Sequence, residues 1–143
     1  MHGGSDYSHG DFGQGGLNSA LNVEQLVNEI GLTSSEIQWR KDFIDFDSED
    51  AKRLASYQDT FAAHAEQIAD DFYESITEYE ETIEVIGRSP KGLNQLKQTQ
   101  SAYLVTLADG EYGDEYFRTR ARIGKLHDLL DMPMKQYIGQ YGV

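Results

Sequence analysis

The sequence predicts an all-helical fold. Apolar residues recur three or four positions apart through most of the chain, and only two prolines interrupt it. At 143 residues the chain is long enough for one domain with a real core and too short for two. It contains no cysteine, which fits an intracellular, cytoplasmic protein without disulfides and excludes cysteine-type structural zinc.

Charge and hydropathy remove several function classes. Twelve basic residues against 25 acidic ones give a formal net charge of −13, which repels nucleic acid and anionic membrane alike. Charge on this scale suits a high-salt cytoplasm, where the Debye length falls to about 3 Å at 1 M, as well as an ordinary acidic cytosolic protein. No apolar run approaches the roughly 20 residues that cross a bilayer, and the first residues lack the pattern of a signal peptide.

Residues 1 to 16 hold six glycines with His2 and His9 and no apolar period, so they read as a flexible leader. Residues 17 to 45 follow as two short helices. Asn22 caps a stripe of Val23, Leu26, Val27 and Ile30 that Gly31 ends, and Thr33 with Glu36 has the spacing of a capping box before Ile37, Trp39, Phe43 and Ile44. The main core, 46 to 143, opens with the caps Asp47 and Ser48. From there Leu54, Tyr57, Phe61, Ala65, Ile68, Phe72 and Ile76 span more than five turns, read as two successive helices. The acidic run Glu78 to Glu81 reads as a solvated edge, and Ser89-Pro90-Lys91-Gly92 as a break. A helix from Gly92 carries Leu93, Leu96, Thr99 or Gln100, Tyr103 and Leu107 on one face, as far as the Asp109-Gly110 turn. Asp114 caps the next helix, which Asp131-Met132-Pro133 stops, and a last helix is expected over 134 to 141 with Tyr137, Ile138 and Tyr141 as its stripe.

Within the helix after Asp114, Ile123, Leu126, His127 and Leu130 follow i, i+3, i+4, i+7, which aims one imidazole at the core. Burying it among aliphatic groups costs free energy unless its nitrogens find partners. A metal ion and a backbone carbonyl both satisfy that demand, and the spacing leaves the two open.

Three blocks in order, Asp70-Asp-Phe-Tyr73, Leu93-Asn-Gln-Leu-Lys-Gln-Thr99 and Arg122-Ile-Gly-Lys-Leu-His127 followed by Met132-Pro-Met-Lys-Gln-Tyr137, resemble the globin-coupled sensors, in particular the haem-based aerotaxis transducers of archaea and bacilli. The likeness runs from about Ile44 to the last residue. It implies a globin fold with extra N-terminal helices around one haem b (iron protoporphyrin IX), with His127 as axial ligand of the iron. The other ring nitrogen then needs an acceptor. Asp128 lies about 100° round the helix from His127, so the carbonyl one turn earlier is expected instead. By the same likeness Tyr73 and Thr99 face the gas side, Leu96 stands where oxygen-storage globins place a distal histidine, and Tyr137 borders the side of the axial ligand. His64 is not a ligand position, and Gly124 permits close packing.

A hydroxyl on the gas side would discriminate. Oxygen on ferrous haem becomes superoxide-like and rewards a donor, whereas carbon monoxide stays nearly neutral; a hydrogen bond to a charged group is worth about 1.5–3 kcal/mol. The likeness thus implies a non-enzymatic oxygen sensor, with CO and NO as further ligands, homodimeric when intact and coupled to a methyl-accepting signalling domain. The family's last two helices form much of the dimer bundle, and this chain is expected to stop about two turns into the first of them, leaving the domain C-terminally incomplete. Three rival readings are a haem-free globin-like interaction module, in which His127, Tyr73 and Thr99 only pack; a globin with dioxygenase-type haem chemistry; and a bare halophilic helical bundle.

Overall fold

A computed structural model of the chain describes residues 21–133 and residue 135. They form seven helices and, among the described residues, no strand: α1 Val23–Glu29, α2 Ser34–Phe43, α3 Ser48–Ala55, α4 Gln58–Ile76, α5 Glu80–Gly87, α6 Leu93–Thr106 and α7 Asp114–Leu129. The all-α expectation holds. No described helix is long and apolar enough to cross a membrane. The helix expected over 134 to 141, with Tyr137, lies outside the described residues apart from Lys135, whose ammonium pairs with Glu81 at 3.3 Å.

Local chemistry sets the boundaries. The Asn22 side chain accepts from the Gln25 N–H, and Thr33 accepts from Glu36, although Glu36 pairs with Arg40 rather than completing the box. The full capping box belongs to α3, where Asp47 and Asp50 bond each other's backbone. These bonds, the Asp50 N–H first, hold the Asp47 carboxyl below its ordinary range. At the start of α7 the cap position is Gly113; Asp114 is already helical, and its carboxylate accepts from the Ser34 hydroxyl of α2. The acidic run read as a solvated edge turns helical at Glu80. That short α5 buries Thr82 and Val85, and two buried positions within eight residues set no helical period that the sequence announces.

Three helices end in the same left-handed wrap with different residues. Gly31 (φ 69°) ends α1 while the Leu32 N–H reaches the Val27 carbonyl at 2.9 Å. Asp45 and Asp131, both at φ 55°, do the same after α2 and α7, with Phe46 N–H on Lys41 and Met132 N–H on His127. Between α6 and α7, Gly110 (φ 88°) sits so near α3 that an added Cβ would lie 3.2 Å from that of Ala55.

Two packing centres organise the rest. α4 crosses α6 through small residues: Ala65 and Ala69 on one helix and Ser101 and Ala102 on the other are buried, with Ala69 fully so, and the Ser101 hydroxyl donates to the Ala65 carbonyl at 3.4 Å. Lys97 and Asp70 pair at 3.1 Å further along the same seam. The second centre is α7, against which α1 and α2 lie. Glu24 pairs with Arg118, and Lys41 donates to the Tyr112 carbonyl at 3.0 Å. Close backbone approach is thus concentrated at α4–α6 and at the N-terminal helices on α7, and not between α6 and α7.

Candidate functional site

Helices α6 and α7 are joined by a short turn and diverge from it. At the junction the Arg120 guanidinium of α7 donates to the Thr106 hydroxyl of α6 at 3.3 Å. Thr99 lies seven residues before Thr106, and His127 seven after Arg120. Seven residues are nearly two turns, so each returns to the face that meets at the junction, about 10 Å further out. Thr99 and His127 therefore stand on facing sides of a slot.

The slot is lined by the stripes that periodicity marks as core. Yet Leu96, Thr99 and Tyr103 on α6, and Ile123, Leu126 and His127 on α7, are each only half-buried. Of the residues of α6 that do pack completely, Ser101 and Ala102 lie on other positions, toward α4, and Thr106 shares the face of Thr99 but is covered at the junction. Tyr73 is one turn beyond Ala69, on the α4 face that meets α6. Since Ala65 meets Ser101 and Asp70 meets Lys97, that seam runs antiparallel and carries Tyr73 toward the first turns of α6, where Leu96 and Thr99 lie.

The imidazole of His127 is oriented from within its own helix. Nδ1 lies 2.7 Å from the Ile123 carbonyl, one turn earlier, as the 100° argument requires. A carbonyl only accepts, so Nδ1 carries the proton and Nε2 the lone pair. Burial lowers the proton affinity of the ring below the ordinary value, and the Ile123 carbonyl offsets this in part. Asp128 is turned away and exposed, paired with Lys125 at 2.7 Å, which raises the proton affinity of that ammonium.

These features suit a flat apolar macrocycle with a metal at its centre. A neutral imidazole with a fixed tautomer is what a ferrous iron requires of a nitrogen ligand. The aliphatic side chains on either side offer surface that a large apolar group would cover.

The hydroxyls are placed less simply. Thr99 Oγ1 donates to the Gln95 carbonyl at 3.0 Å and lies 3.4 Å from the Lys91 ammonium. Tyr73 is half-buried, its ring edge-on to Phe72 with centroids 5.1 Å apart. His64 is exposed on α4 and takes no part. Lys91, Arg88 and Arg120 were not legible as site residues, although Tyr103, Tyr116 and Arg120 do carry a signal, an aromatic four residues before an arginine on one helix facing a second aromatic on the other.

The Protoglobin family model matches residues 33–143. Over 125 residues, 87% of the chain, the sequence is 39% identical to the haem-based aerotactic transducer HemAT of Halobacterium salinarum, of which it spans 26%. No solved structure matches.

Proposed function

Because the chain belongs to the protoglobin family, as a globin-coupled sensor, we propose that the α6–α7 slot takes haem b and that the domain senses oxygen for a chemotactic transducer. The observation that carries this reading is the His127 imidazole, neutral and tautomer-fixed by Ile123, on one wall of a slot whose apolar lining is half-covered. The haem would supply a ferrous iron able to take a diatomic gas.

The chain's own residues do the rest. His127 would hold the iron through Nε2, with the Ile123 carbonyl keeping the ring from turning. Leu96, Ile123 and Leu126 exclude water from the macrocycle, with Tyr137 assigned to the His127 side. Thr99 and Tyr73 would offer hydroxyl protons to the bound gas. For Thr99 to donate to a ligand its hydroxyl must turn from the Gln95 carbonyl, so oxygen competes with that bond. The donor's advantage to oxygen over carbon monoxide is then roughly tenfold or somewhat more, below the full value of a charged hydrogen bond.

We propose with it, as the family resemblance implies, a non-enzymatic role, a homodimer in the intact protein, a methyl-accepting domain downstream and a cytoplasmic location, with CO and NO as alternative ligands. In this reading residues 46–143 form the sensor unit and 17–45 the added helices. The charge of −13 fits a salt-rich interior, and a melting temperature that rises with KCl tests it.

An absorption spectrum of the haem-reconstituted chain with dithionite, then oxygen, tests the central reading. A five-coordinate ferrous band that converts to a stable oxy form is expected. His127→Ala should abolish stoichiometric haem, and retention with an unchanged Soret band would refute the assignment. Thr99→Val should weaken oxygen far more than carbon monoxide; an equal effect removes Thr99 from the role.

A further inference from the structure

The slot is bracketed at both ends by arginines of different character. At the closed end the Arg120 guanidinium lies 3.3 Å from the ring centroid of Tyr116 on α7 and 5.2 Å from that of Tyr103 on α6. It donates to the Tyr116 carbonyl at 3.2 Å and to Thr106 Oγ1 at 3.3 Å. Thr106 is buried and spends its own proton on the Tyr103 carbonyl at 2.7 Å, so its oxygen presents a lone pair to the arginine. A planar cation between two rings, forked to neutral oxygens, is a role that an ammonium cannot reproduce.

At the open end Arg88, the cap of α5 in the segment that feeds α6, reaches across 42 residues of sequence. Its Nη1 donates to the Leu130 carbonyl at 2.9 Å and the Asp131 carbonyl at 3.2 Å, at the cap and just past the end of the His127 helix. A cation there satisfies carbonyls that the helix cannot and complements its dipole. Arg88 is exposed, so this contact exchanges with solvent more readily than the one at the closed end.

We propose that Arg120 and Arg88 are positioning residues, one a fixed hinge and the other a releasable latch, which together set how far α7 stands from α6 and hence where His127 lies relative to Thr99. This rests on the slot being the haem site, and neither arginine touches the reacting groups in this scheme. Because the two helices meet at Arg120 and run apart, a small change at that end is magnified toward His127. The Arg88 contact limits the swing.

The absence of cysteine allows two nitroxide labels, introduced by Asn94→Cys and Leu129→Cys at exposed positions on the facing helices. Pulsed dipolar spectroscopy of the whole chain, haem-free, then reads the slot directly. Arg88→Gln should lengthen and broaden the distance distribution, and Arg88→Lys should restore it. Arg120→Met should shift it as well, and Arg120→Lys should fail to restore it. In the haem-loaded chain the Arg88→Gln variant should lose haem to excess apomyoglobin roughly three- to tenfold faster, with a shifted iron–histidine stretching frequency.

Distributions that superimpose on the parent's for Arg88→Gln and both Arg120 variants overturn the proposal, even if melting temperatures fall. Should Arg120→Met not fold by circular dichroism, Arg120→Lys and the Arg88 pair decide. The distance measurement needs no haem. Changed distances in a chain that binds none would keep the spacing role and sink the haem reading, and unchanged distances with full haem uptake would do the reverse.

Discussion

The two faces of α6 solve opposite problems. Toward α4, Ala65, Ala69, Ser101 and Ala102 close against one another with almost no exposed surface, a contact complete within the chain. Toward α7, larger and more apolar side chains, Leu96, Tyr103, Ile123 and Leu126, remain half-covered. Hydrophobic burial alone would favour the reverse, since the larger side chains stabilise more on leaving water. Small residues let the α4 and α6 backbones approach, and their density makes the crossing a rigid reference. Under the proposed function, the half-covered lining toward α7 is the surface that a bound group would complete from that reference.

The largest test of this contrast lies in the finished contact. Ala69→Leu should destabilise the chain by about 1–3 kcal/mol through overpacking, equally with and without haem, because nothing there waits to be filled. Urea unfolding of both forms measures it, and a cost that depends on haem would show that the two faces are not independent.

Truncation in the slot should behave differently. Leu96→Ala is expected to cost about 1 kcal/mol in the haem-free chain, below the 2–5 kcal/mol of a filled core, and distinctly more once haem is bound. The same pair of titrations checks it. A full core-sized loss without haem would mean that the slot packs on itself in solution.

That division also explains what the sequence made legible. Periodicity located α6 and α7, the succession of two helices up to Ile76 though not the break between them, and the imidazole with its acceptor one turn earlier, because a helix repeats its geometry and caps are chosen by local hydrogen bonding. It misjudged which side chains pack. A stripe of large apolar residues has the same spacing whether it meets another helix or a bound group, so Leu93, Ile68 and Tyr57 read as core and are exposed. The alanines and serine of the α4–α6 seam were silent because their importance lies in the volume they omit. Likewise Trp39, Phe43 and Ile44 complete a convincing stripe on α2, of which Ile37 is buried while Phe43 stays 74% exposed. Tyr137 falls outside the described residues, so its side of the slot rests on the family likeness.

A smaller effect separates the rim of the slot from its walls. Asp131 holds φ 55° immediately after the His127 helix, where glycine bears no steric penalty, as at Gly31. Asp131→Gly should therefore stabilise the haem-free chain by about 0.5–1 kcal/mol. Asp45→Gly, in the same wrap after α2 but remote from the slot, is the control. If haem loss accelerates only in the first variant, the aspartate's stiffness serves the site; equal behaviour reduces both to helix termination.

The smallest effect at neutral pH falls on the proposed iron ligand. The Ile123 carbonyl accepts a helical N–H besides the imidazole, so His127→Leu leaves that carbonyl bonded and should change haem-free stability at pH 7 by about 0.5 kcal/mol or less. Acid exposes the difference. Burial holds the folded-state pKa of His127 below the ordinary value of about 6.5, so below that pH the unfolded chain binds a proton that the folded chain resists. Stability from this group is thus full above about pH 6.5 and drains as pH falls toward the folded-state pKa. His127→Leu should flatten that part of the profile, measured by urea midpoints between pH 7.5 and about 5. A parallel slope in parent and variant would place the imidazole in water and remove the reason for a ligand there. A flattened slope with haem uptake abolished would show one side chain tolerated by the apolar slot for what it binds rather than for what it packs.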